Sequence, residues 1–483
     1  MSLTAITDET RLALTTLAER TIGITAPAIR LGVTGLARAG KTVFISALVH
    51  NLIHGGRLPL FRAYSGGRVL GSHLEPQPDD AVPRFEYERH VEALVEDRVW
   101  PDSTRQISEL RLTVQYESAS FLTRTLSGGK IHIDIVDYPG EWLLDLPLLS
   151  KDFATWSREA LAFARAPERS RTAAPWLDRL ATIDSDAPED EALARQLAAT
   201  FTGYLRATRA ESGSLSTLPP GRFLMPGDLE GSPALTFSPL DLADGTIRPG
   251  STAAMMARRF ESYKSAVVRP FFRDHFARLD RQIVLIDALE ALNAGSAAVN
   301  GLETALADIL AAFRLGRTNW LGGLVSRRID RILFAATKAD HLHHGDHDRL
   351  EAILSRLVGR AIERARFAGA TVDVIALASV RATREGTITH HGESLPSIIG
   401  TPLPGETVDG RIFDGSTEIA MFPGDLPDNP ESVFEEPGGT SMPLQYVRFR
   451  PPRLERTAEG LTLSLPHIRL DRALEFLLGD RLR

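Results

Sequence analysis

A phosphate-binding motif lies near the start of the chain, in the segment Gly35-Leu36-Ala37-Arg38-Ala39-Gly40-Lys41-Thr42. Its spacing is GxxxxGK[ST], in which glycines let the backbone curl so that successive N–H groups face phosphate oxygens. The Lys41 ammonium group can then reach the β- and γ-phosphates, and the Thr42 hydroxyl can bind Mg²⁺. A plain turn between a strand and a helix is the alternative. The spacing predicts that a nucleotide binds Gly35, Arg38, Ala39, Gly40, Lys41, Thr42 and Val43.

A second group of residues could hold the magnesium ion. Asp137 ends the apolar segment IHIDIVD and begins Asp137-Tyr138-Pro139-Gly140. A carboxylate at such a strand end lies beside the phosphate loop and can bind Mg²⁺ through water, while the Gly140 N–H can reach the γ-phosphate. Thr104, in PDSTRQ, is the candidate whose hydroxyl completes the Mg²⁺ shell when the γ-phosphate arrives. The alternative for 137–140 is an ordinary Pro-Gly turn at a strand end, and the alternative to Thr104 is the adjacent Ser103.

The segment Thr337-Lys338-Ala339-Asp340 lies at the end of the apolar run ILFAATK and could recognise a purine base. The Asp340 carboxylate can accept two parallel hydrogen bonds from the ring N–H and the exocyclic amine of guanine, a pair that adenine cannot donate together. The Lys338 stem can lie over the face of the ring. The segment therefore predicts guanine as the base.

The composition limits the classes of function. The 483 residues are 43% hydrophobic and 24% charged, which excludes wholesale disorder. The net charge of −7 disfavours nucleic acid as the main ligand, and the absence of Cys excludes thiolate nucleophiles and Cys-ligated metals. Neither a signal-peptide pattern nor an apolar run long enough for a transmembrane helix is apparent. We expect a cytoplasmic protein that visits a membrane only peripherally, if at all.

The motifs must be positioned by strands and helices that alternate along the chain. Strand-like segments lie at 28–34, 109–116, 130–137, 282–287, 332–338 and 372–379, and helices near 301–314 and 347–367 separate the last three. Apolar strands that alternate with helices are typical of a buried parallel sheet. Further helices are expected at 8–20, within 141–212, over 251–280 and at 469–481, with a long surface loop at 213–250. The predicted fold is an α/β P-loop NTPase with a mostly parallel sheet and helices on both faces.

The same pattern divides the chain into five predicted parts. Residues 1–27 are an N-terminal helix and lead-in, and 28–140 and 281–383 are the two parts of the nucleotide-binding core. Residues 141–280 are a mainly helical insertion. Residues 384–483 are a Gly- and Pro-rich extension with short strands and a closing helix.

The order of the motifs resembles the GTPase superfamily of P-loop proteins. In that superfamily the base motif is usually NKxD, and Thr337 stands where Asn is usual. Ala378-Ser379-Val380 resembles the last base-contacting loop, which implies that Ser379 contacts the base. A strand end capped by serine is the alternative for Ser379.

More narrowly, the chain resembles the bacterial YcjX family of GTPase-like stress proteins. The resemblance is carried by GLARAGKTVFISALVHNL, DIVDYPGEWLLDLPLL, RQIVLIDALEALNAG, TKADHLHH and LPHIRLDRALEFLLGDRLR, which are spread over nearly the whole chain. The resemblance implies a GTPase core with a large helical insertion after the DxxG strand, which matches 141–280. It also implies a role linked to envelope or phage-shock stress.

Hydrolysis needs a residue that orients water and a charge that stabilises the departing phosphate. Glu141 follows DxxG, where Ras-like proteins carry Gln. An ionised Glu141 is repelled by the γ-phosphate, so we expect slow hydrolysis; a helix-starting acid is the alternative. Arg38 stands at the offset where guanylate-binding proteins place an Arg that swings onto the transferring phosphate. It is a candidate finger acting in cis, which a dimer could order, and a solvated surface Arg is the alternative. With Lys41, these are the candidate catalytic residues.

The leading prediction is a Mg²⁺-dependent GTPase that acts as a conformational switch and hydrolyses GTP to GDP and phosphate. An ATPase is the alternative enzyme, and a nucleotide-sensing scaffold with negligible hydrolysis is the alternative outside enzymes. A homodimer or a protein partner at the helical insertion stays open. A His-rich tract follows the base motif, and zinc binding there is the alternative to a polar loop, because no spaced carboxylate or Cys partner is evident: His341, His343, His344 and His347.

Overall fold

The computed structural model describes residues 26–482 apart from 37, 103, 105, 118–128, 213–219, 243–245, 276–277, 312–328, 391–392, 409, 436–443 and 455–463. The helix predicted at 8–20, the last residues of the helix predicted at 301–314 and Ser103 lie outside the described residues.

A seven-stranded sheet forms the centre of the molecule. Its strands are β1 (Ala28–Gly35), β2 (Val69–Glu75), β3 (Ser108–Tyr116), β4 (Lys130–Asp137), β5 (Arg281–Ile286), β6 (Arg331–Ala336) and β7 (Thr371–Ala376), in the order β2-β3-β4-β1-β5-β6-β7. Strands β4, β1, β5, β6 and β7 are parallel, whereas β3 runs antiparallel to β4 and β2 to β3. The predicted α/β class with a mostly parallel sheet is confirmed.

The α-helices are α1 (Lys41–His54), α2 (Arg62–Ser65), α3 (Tyr87–Glu92), α4 (Phe153–Ala164), α5 (Ser170–Ala181), α6 (Glu191–Ser212), α7 (Thr252–Tyr263), α8 (Arg269–Asp274), α9 (Ala288–Ala294), α10 (Ser296–Ala311), α11 (His347–Leu357), α12 (Gly359–Phe367) and α13 (Leu470–Leu478). Two π-type segments, Ala93–Asp97 and Lys264–Val268, and a 3₁₀ segment, Gly140–Ser150, extend or connect them.

The sheet is buried on both faces. Successive side chains of a strand point to opposite faces, and in β5 Ile283 and Leu285 belong to one core while Val284 and Ile286 belong to the other. Helices α1 and α13 cover the first face. Helices α10, α11 and α12 and those of the chain between β4 and β5 cover the second. Both faces therefore carry helices, as expected for apolar parallel strands.

The insertion, residues 141–280, packs around an aromatic core. The rings of Trp156 and Phe260 are stacked with centroids 4.9 Å apart, and those of Trp176 and Tyr204 with centroids 5.2 Å apart. Phe237 is fully buried in the same cluster. The prediction of a surface loop over 213–250 is wrong at this point, because Phe237 and its neighbours fill a core that only the assembled helices create.

Two features were not predicted in detail. Strand β2 has no regular alternation of apolar and polar residues, and it forms by pairing with β3 at the edge of the sheet. In the C-terminal extension, residues 384–483, β8 (Arg384–His390), β9 (Glu393–Gly400) and β12 (Ile419–Met421) make a separate antiparallel sheet. A short pair, β10 (Thr407–Val408) and β11 (Arg411–Ile412), lies apart from it. Among the helices described, none is both long and apolar enough to cross a bilayer.

Candidate functional site

The predicted phosphate loop connects β1 to α1. Gly40 has a φ of 85° immediately before α1, a left-handed conformation that glycine adopts without strain, and Arg38 also has a positive φ. Helix α1 begins at Lys41, so its first N–H groups lack partners within the helix and are available to an anion. The Lys41 Nζ donates to the carbonyl oxygens of Gly35 at 3.0 Å and Leu36 at 3.2 Å, so the ammonium group spans the loop.

Burial lowers the pKa of Lys41, while the negative charges of Asp137 and Glu141 act in the opposite direction. The lysine is thus buried among carboxylates and carbonyl groups. An ammonium group in such surroundings interacts strongly with an added phosphate, because screening is weak there.

Three oxygen-bearing side chains meet beside Lys41. The Thr104 hydroxyl donates to Asp137 Oδ2 at 2.7 Å, and its oxygen is 3.4 Å from the Thr42 hydroxyl oxygen. Asp137 Oδ1 is buried and has no hydrogen-bond partner among the described residues. Burial raises the pKa of Asp137 to about 6, against the effect of the Lys41 charge and the Thr104 hydrogen bond. An all-oxygen donor set with a buried, unpartnered carboxylate oxygen fits Mg²⁺.

Gly140 lies directly against the phosphate loop. A Cβ atom at this position would be 2.2 Å from the Gly35 carbonyl oxygen and 2.8 Å from the Leu36 carbonyl carbon. Only glycine permits this contact between the two backbones. The backbone of the DxxG segment is therefore in direct contact with the backbone of the phosphate loop.

The base motif lies at the end of β6, next to the end of β5. Thr337 donates from its backbone N–H to the Ile286 carbonyl oxygen at 2.9 Å, and Lys338 has a φ of 61°. Lys338 Nζ donates to the Asp287 carboxylate and to the Tyr446 hydroxyl oxygen. Both partners restrict the lysine stem, which lies along the wall of the cavity described below.

Asp340 is held by the chain that follows β7. Its Oδ2 accepts from the Ala382 N–H at 2.8 Å, and its carbonyl oxygen accepts from the Thr383 hydroxyl. A carboxylate has about four acceptor sites, so the Ala382 N–H orients the group and leaves acceptor capacity for a base.

These groups line one cavity of about 280 Å³. Its wall contains every predicted site residue except Gly35, Asp137 and Gly140: Arg38, Ala39, Gly40, Lys41, Thr42, Val43, Thr104, Glu141, Thr337, Lys338, Asp340 and Ser379. Arg38 is exposed in this wall, and Ser379 is almost fully buried. The fold thus brings residues from 38 to 379 to one concave surface.

The wall also contains residues that sequence reasoning missed. Trp100, Leu403, Arg448 and Phe449 line the cavity, and the Trp100 Nε1 donates to the Phe449 carbonyl oxygen at 2.6 Å. His341 is buried with its ring 5.4 Å from those of Tyr446 and Phe449. No spacing rule links positions about 350 residues apart, so the C-terminal extension carried no signal that it covers the site.

Glu141 is buried and accepts a hydrogen bond from Arg209 in the last turn of α6. Arg209 was also not predicted, because a single Arg on a surface-patterned helix does not differ from its neighbours.

The His-rich tract is not a uniform polar loop. His341 and His347 are buried, and His347 Nε2 lies 3.0 Å from the Ala339 carbonyl oxygen. His344 Nδ1 lies 2.8 Å from Glu385, a carboxylate partner that the sequence did not indicate, and His343 is 3.8 Å from the same group. His343, His344 and Glu385 could together hold a metal ion. However, the Arg381 guanidinium lies 3.5 Å from the Glu385 carboxylate and already pairs with it.

Comparison with known proteins gives a family. A protein named Ras-like GTPase YcjX from Escherichia coli strain K12 is 38% identical over 468 residues, which cover 94% of this chain and 96% of that protein. A protein of the same name from Shewanella oneidensis is 32% identical over 475 residues, covering 94% of each. The sequence profile of the YcjX-like family, DUF463, matches residues 29–482. With the motifs and fold described above, these matches establish that the chain belongs to the YcjX-like family.

Proposed function

We propose that this protein binds GTP with Mg²⁺ in the cavity between the phosphate loop and the C-terminal extension, and hydrolyses GTP slowly to GDP and phosphate. One observation carries the proposal: a lysine and two threonine hydroxyls, one of which donates to a buried aspartate, line the same cavity as a second, oriented aspartate. The name Ras-like GTPase, carried by both relatives, supports the same function.

The phosphate end would bind the triphosphate. The N–H groups of residues 38–43 would surround the β-phosphate, with Lys41 bridging the β- and γ-phosphates. Thr42, Thr104 and Asp137 would hold Mg²⁺, directly or through water, and the ion would neutralise charge on the phosphate oxygens. Gly140 would donate its backbone N–H to the γ-phosphate. Thr104 and Gly140 would thus sense the γ-phosphate, which makes the segments around 104 and 138–146 the parts that switch.

The base end would select guanine. Asp340 would accept from the ring N–H and the exocyclic amine, Lys338 would cover one face of the base, and Thr337, Ser379 and Val43 would complete the wall. Val43 belongs to this set only through its place in the cavity wall next to Thr42.

Hydrolysis would join the oxygen of a water molecule to the γ-phosphorus while the bond to the β–γ bridging oxygen breaks. Glu141 would orient this water, and Arg38, exposed in the cavity wall, would swing onto the transferring phosphate. A stress-response role and a dimer or protein partner at the insertion remain predictions.

Nucleotide titration tests the function. Isothermal calorimetry with GTP, GDP, ATP and xanthosine triphosphate in Mg²⁺ should show tight binding of GTP and GDP only. Asp340→Asn should weaken GTP binding by about 100-fold and improve binding of the xanthine nucleotide, because an amide can donate to the xanthine oxygen. Asp348→Asn, an exposed aspartate on α11, is the matched control and should bind as wild type.

The outcomes separate the alternatives. Equal binding of ATP and GTP would show that the site does not select guanine, and the ATPase alternative would then stand. Tight GTP binding with no phosphate released over hours by purified protein would indicate a nucleotide-dependent scaffold. Absence of any nucleotide binding would contradict the proposal altogether.

A further inference from the structure

The Glu141 carboxylate presents an electrostatic problem for triphosphate binding. It lines the same cavity as Lys41 and Thr42, and its side chain is only 5% exposed. A buried carboxylate that faces the γ-phosphate repels it, because two negative charges at short range are poorly screened there. A protein that binds GTP at this site must compensate the charge of Glu141.

Arg209 supplies the compensating charge. Its guanidinium donates to Glu141 Oε1, and it comes from the end of α6, which is 68 positions further along the chain and within the insertion. Glu141 is the buried member of this pair, so removing Arg209 is unfavourable, since the carboxylate then loses its partner and has little water to replace it.

The pair belongs to one cluster of charges at the phosphate end. Burial is the main cause that lowers the pKa of Lys41; the Arg209 charge acts in the same direction, and Asp137 and Glu141 act against it. These two cations and two anions therefore interact with one another beside the phosphate loop. Removing Arg209 leaves the carboxylates in excess.

Later residues of the insertion, between 221 and 263, also contact the segment that follows Gly140. Asp145 accepts from the Gly221 N–H at 2.7 Å and from the Tyr263 hydroxyl at 2.6 Å. The Arg222 guanidinium lies 3.2 Å from the centroid of the Trp142 ring. A Cβ at Gly221 would be 1.8 Å from the Glu141 carbonyl oxygen, so the two backbones touch. A displacement of the 140–150 segment would therefore break its contacts with the rest of the insertion.

We propose that Arg209 makes Glu141 compatible with a γ-phosphate, so that the insertion controls how well the protein distinguishes GTP from GDP. Arg209 is a positioning residue: it neutralises Glu141 and orients the carboxylate, and the remaining oxygen accepts a hydrogen bond from the attacking water. Glu141 is unchanged after one turnover, because the water proton leaves with the inorganic phosphate. This inference rests on the proposed GTP binding.

The test measures affinity in the full-length protein for GDP and for a non-hydrolysable GTP analogue, both with Mg²⁺. Arg209→Ala should weaken analogue binding by about tenfold or more and change GDP binding less than about twofold, because only the analogue brings a γ-phosphate to the unpaired carboxylate. The double variant Arg209→Ala with Glu141→Gln should recover most of the analogue affinity, since a neutral amide needs no cation. Arg206→Ala, an exposed arginine on the same helix, is the matched control.

Two outcomes would overturn the inference. One is an equal loss of GDP and analogue affinity in Arg209→Ala. The other is a double variant that binds the analogue no better than Arg209→Ala. Thermal unfolding without nucleotide shows whether Arg209→Ala folds. If it does not, Arg209→Lys should keep the ratio of analogue affinity to GDP affinity, and Arg209→Gln should lower that ratio. Equal affinity ratios in these two variants would contradict the inference.

The experiment also separates this inference from the proposed function. Wild-type protein that binds no guanine nucleotide overturns both. Wild-type protein that binds the analogue but releases no phosphate from GTP overturns hydrolysis alone, because the variants' affinities for the analogue and for GDP still report on Arg209. If hydrolysis does occur, single-turnover rates should follow the same order, with the double variant faster than Arg209→Ala.

Discussion

The two ends of the cavity are constructed differently. At the phosphate end, most of the groups come from one continuous loop, 35–42, whose shape depends on a glycine with positive φ and on the start of α1. At the base end, Lys338 and Asp340 take their positions from Asp287, from Tyr446 and from the chain after β7. In the proposed site, phosphate recognition would thus depend on a local loop, whereas base recognition would depend on contacts between distant segments, of which the one through Tyr446 comes from the C-terminal extension.

Arg209 is the exception at the phosphate end. It comes from the end of α6, far along the chain from both the phosphate loop and Glu141, and its guanidinium pairs with the Glu141 carboxylate. The comparison therefore predicts that changes in the local loop affect all nucleoside triphosphates, while changes in the distant supports affect selectivity. Of the four predictions below, those for Lys41 and Tyr446 test this difference directly, and those for Arg38 and Asp145 test the roles of single side chains.

The largest effect is expected for Arg38. Arg38→Ala should lower the single-turnover rate of GTP hydrolysis by about 1,000-fold, because a finger acts on the charge that develops in the transition state. GTP affinity should change by less than about threefold, since the ground state does not need that contact. Arg57→Ala, an exposed arginine after α1, is the control. Equal losses in rate and affinity would make Arg38 a simple binding residue.

Loss of the Lys41 ammonium group should have the next largest effect. Lys41→Ala should weaken binding of GTP by about 100-fold, because two charge-assisted contacts to phosphate oxygens are lost. The preference for guanine over adenine should remain, because the base end is separate. Calorimetry with GTP and ATP measures both affinities. Lys130→Ala, at the end of β4 opposite to Asp137, serves as the control. A changed base preference would break the comparison between the two ends.

Asp145 should make stability depend on pH. Burial raises the pKa of Asp145 to about 6. Between the ordinary value of 3.8 and 6, the folded protein holds more protons than the unfolded chain, so the free energy of unfolding falls as pH rises through this window. Lowering the pH from 7.5 to 5 should therefore stabilise wild type relative to Asp145→Asn by about 1 kcal/mol.

Thermal unfolding of both proteins at each pH measures this difference. Asp178→Asn, an exposed aspartate on α5, is the control and should follow wild type at both pH values. A difference between wild type and Asp145→Asn that does not change with pH would mean that Asp145 does not titrate in this window.

The smallest effect is expected at Tyr446. Tyr446→Phe removes one of the two partners of the Lys338 ammonium group and leaves Asp287. Guanine affinity should fall by about threefold with phosphate recognition intact, because Lys338 loses one hydrogen bond to a hydroxyl oxygen and keeps its ion pair with Asp287. Competition of GDP against inorganic pyrophosphate reports the two separately, and Tyr64→Phe is the control. An equal loss for pyrophosphate would show that the C-terminal extension supports the whole cavity.

Much of the fold followed from local pattern. The run of apolar residues in β5 and β6 predicted buried parallel strands, because a strand covered on both faces needs no polar side. The edge strand β2 was not predicted, because its residues are half-buried and do not alternate between apolar and polar; it forms only by pairing with β3. Phe237 escaped for a related reason: Gly, Pro and Ser around it indicate a loop, and only the packed insertion buries its ring.

The sequence by itself determined the phosphate loop, the Asp137 and Asp340 motifs and the α/β class, because each depends on short-range spacing and on the periodicity of a strand or helix. Only the tertiary structure decided that Arg209 meets Glu141, that Tyr446 restrains Lys338, and that Trp100 and Phe449 line the cavity together. Such pairs form when whole helices and strands dock. Their sequence separations are arbitrary, so no local pattern encodes them.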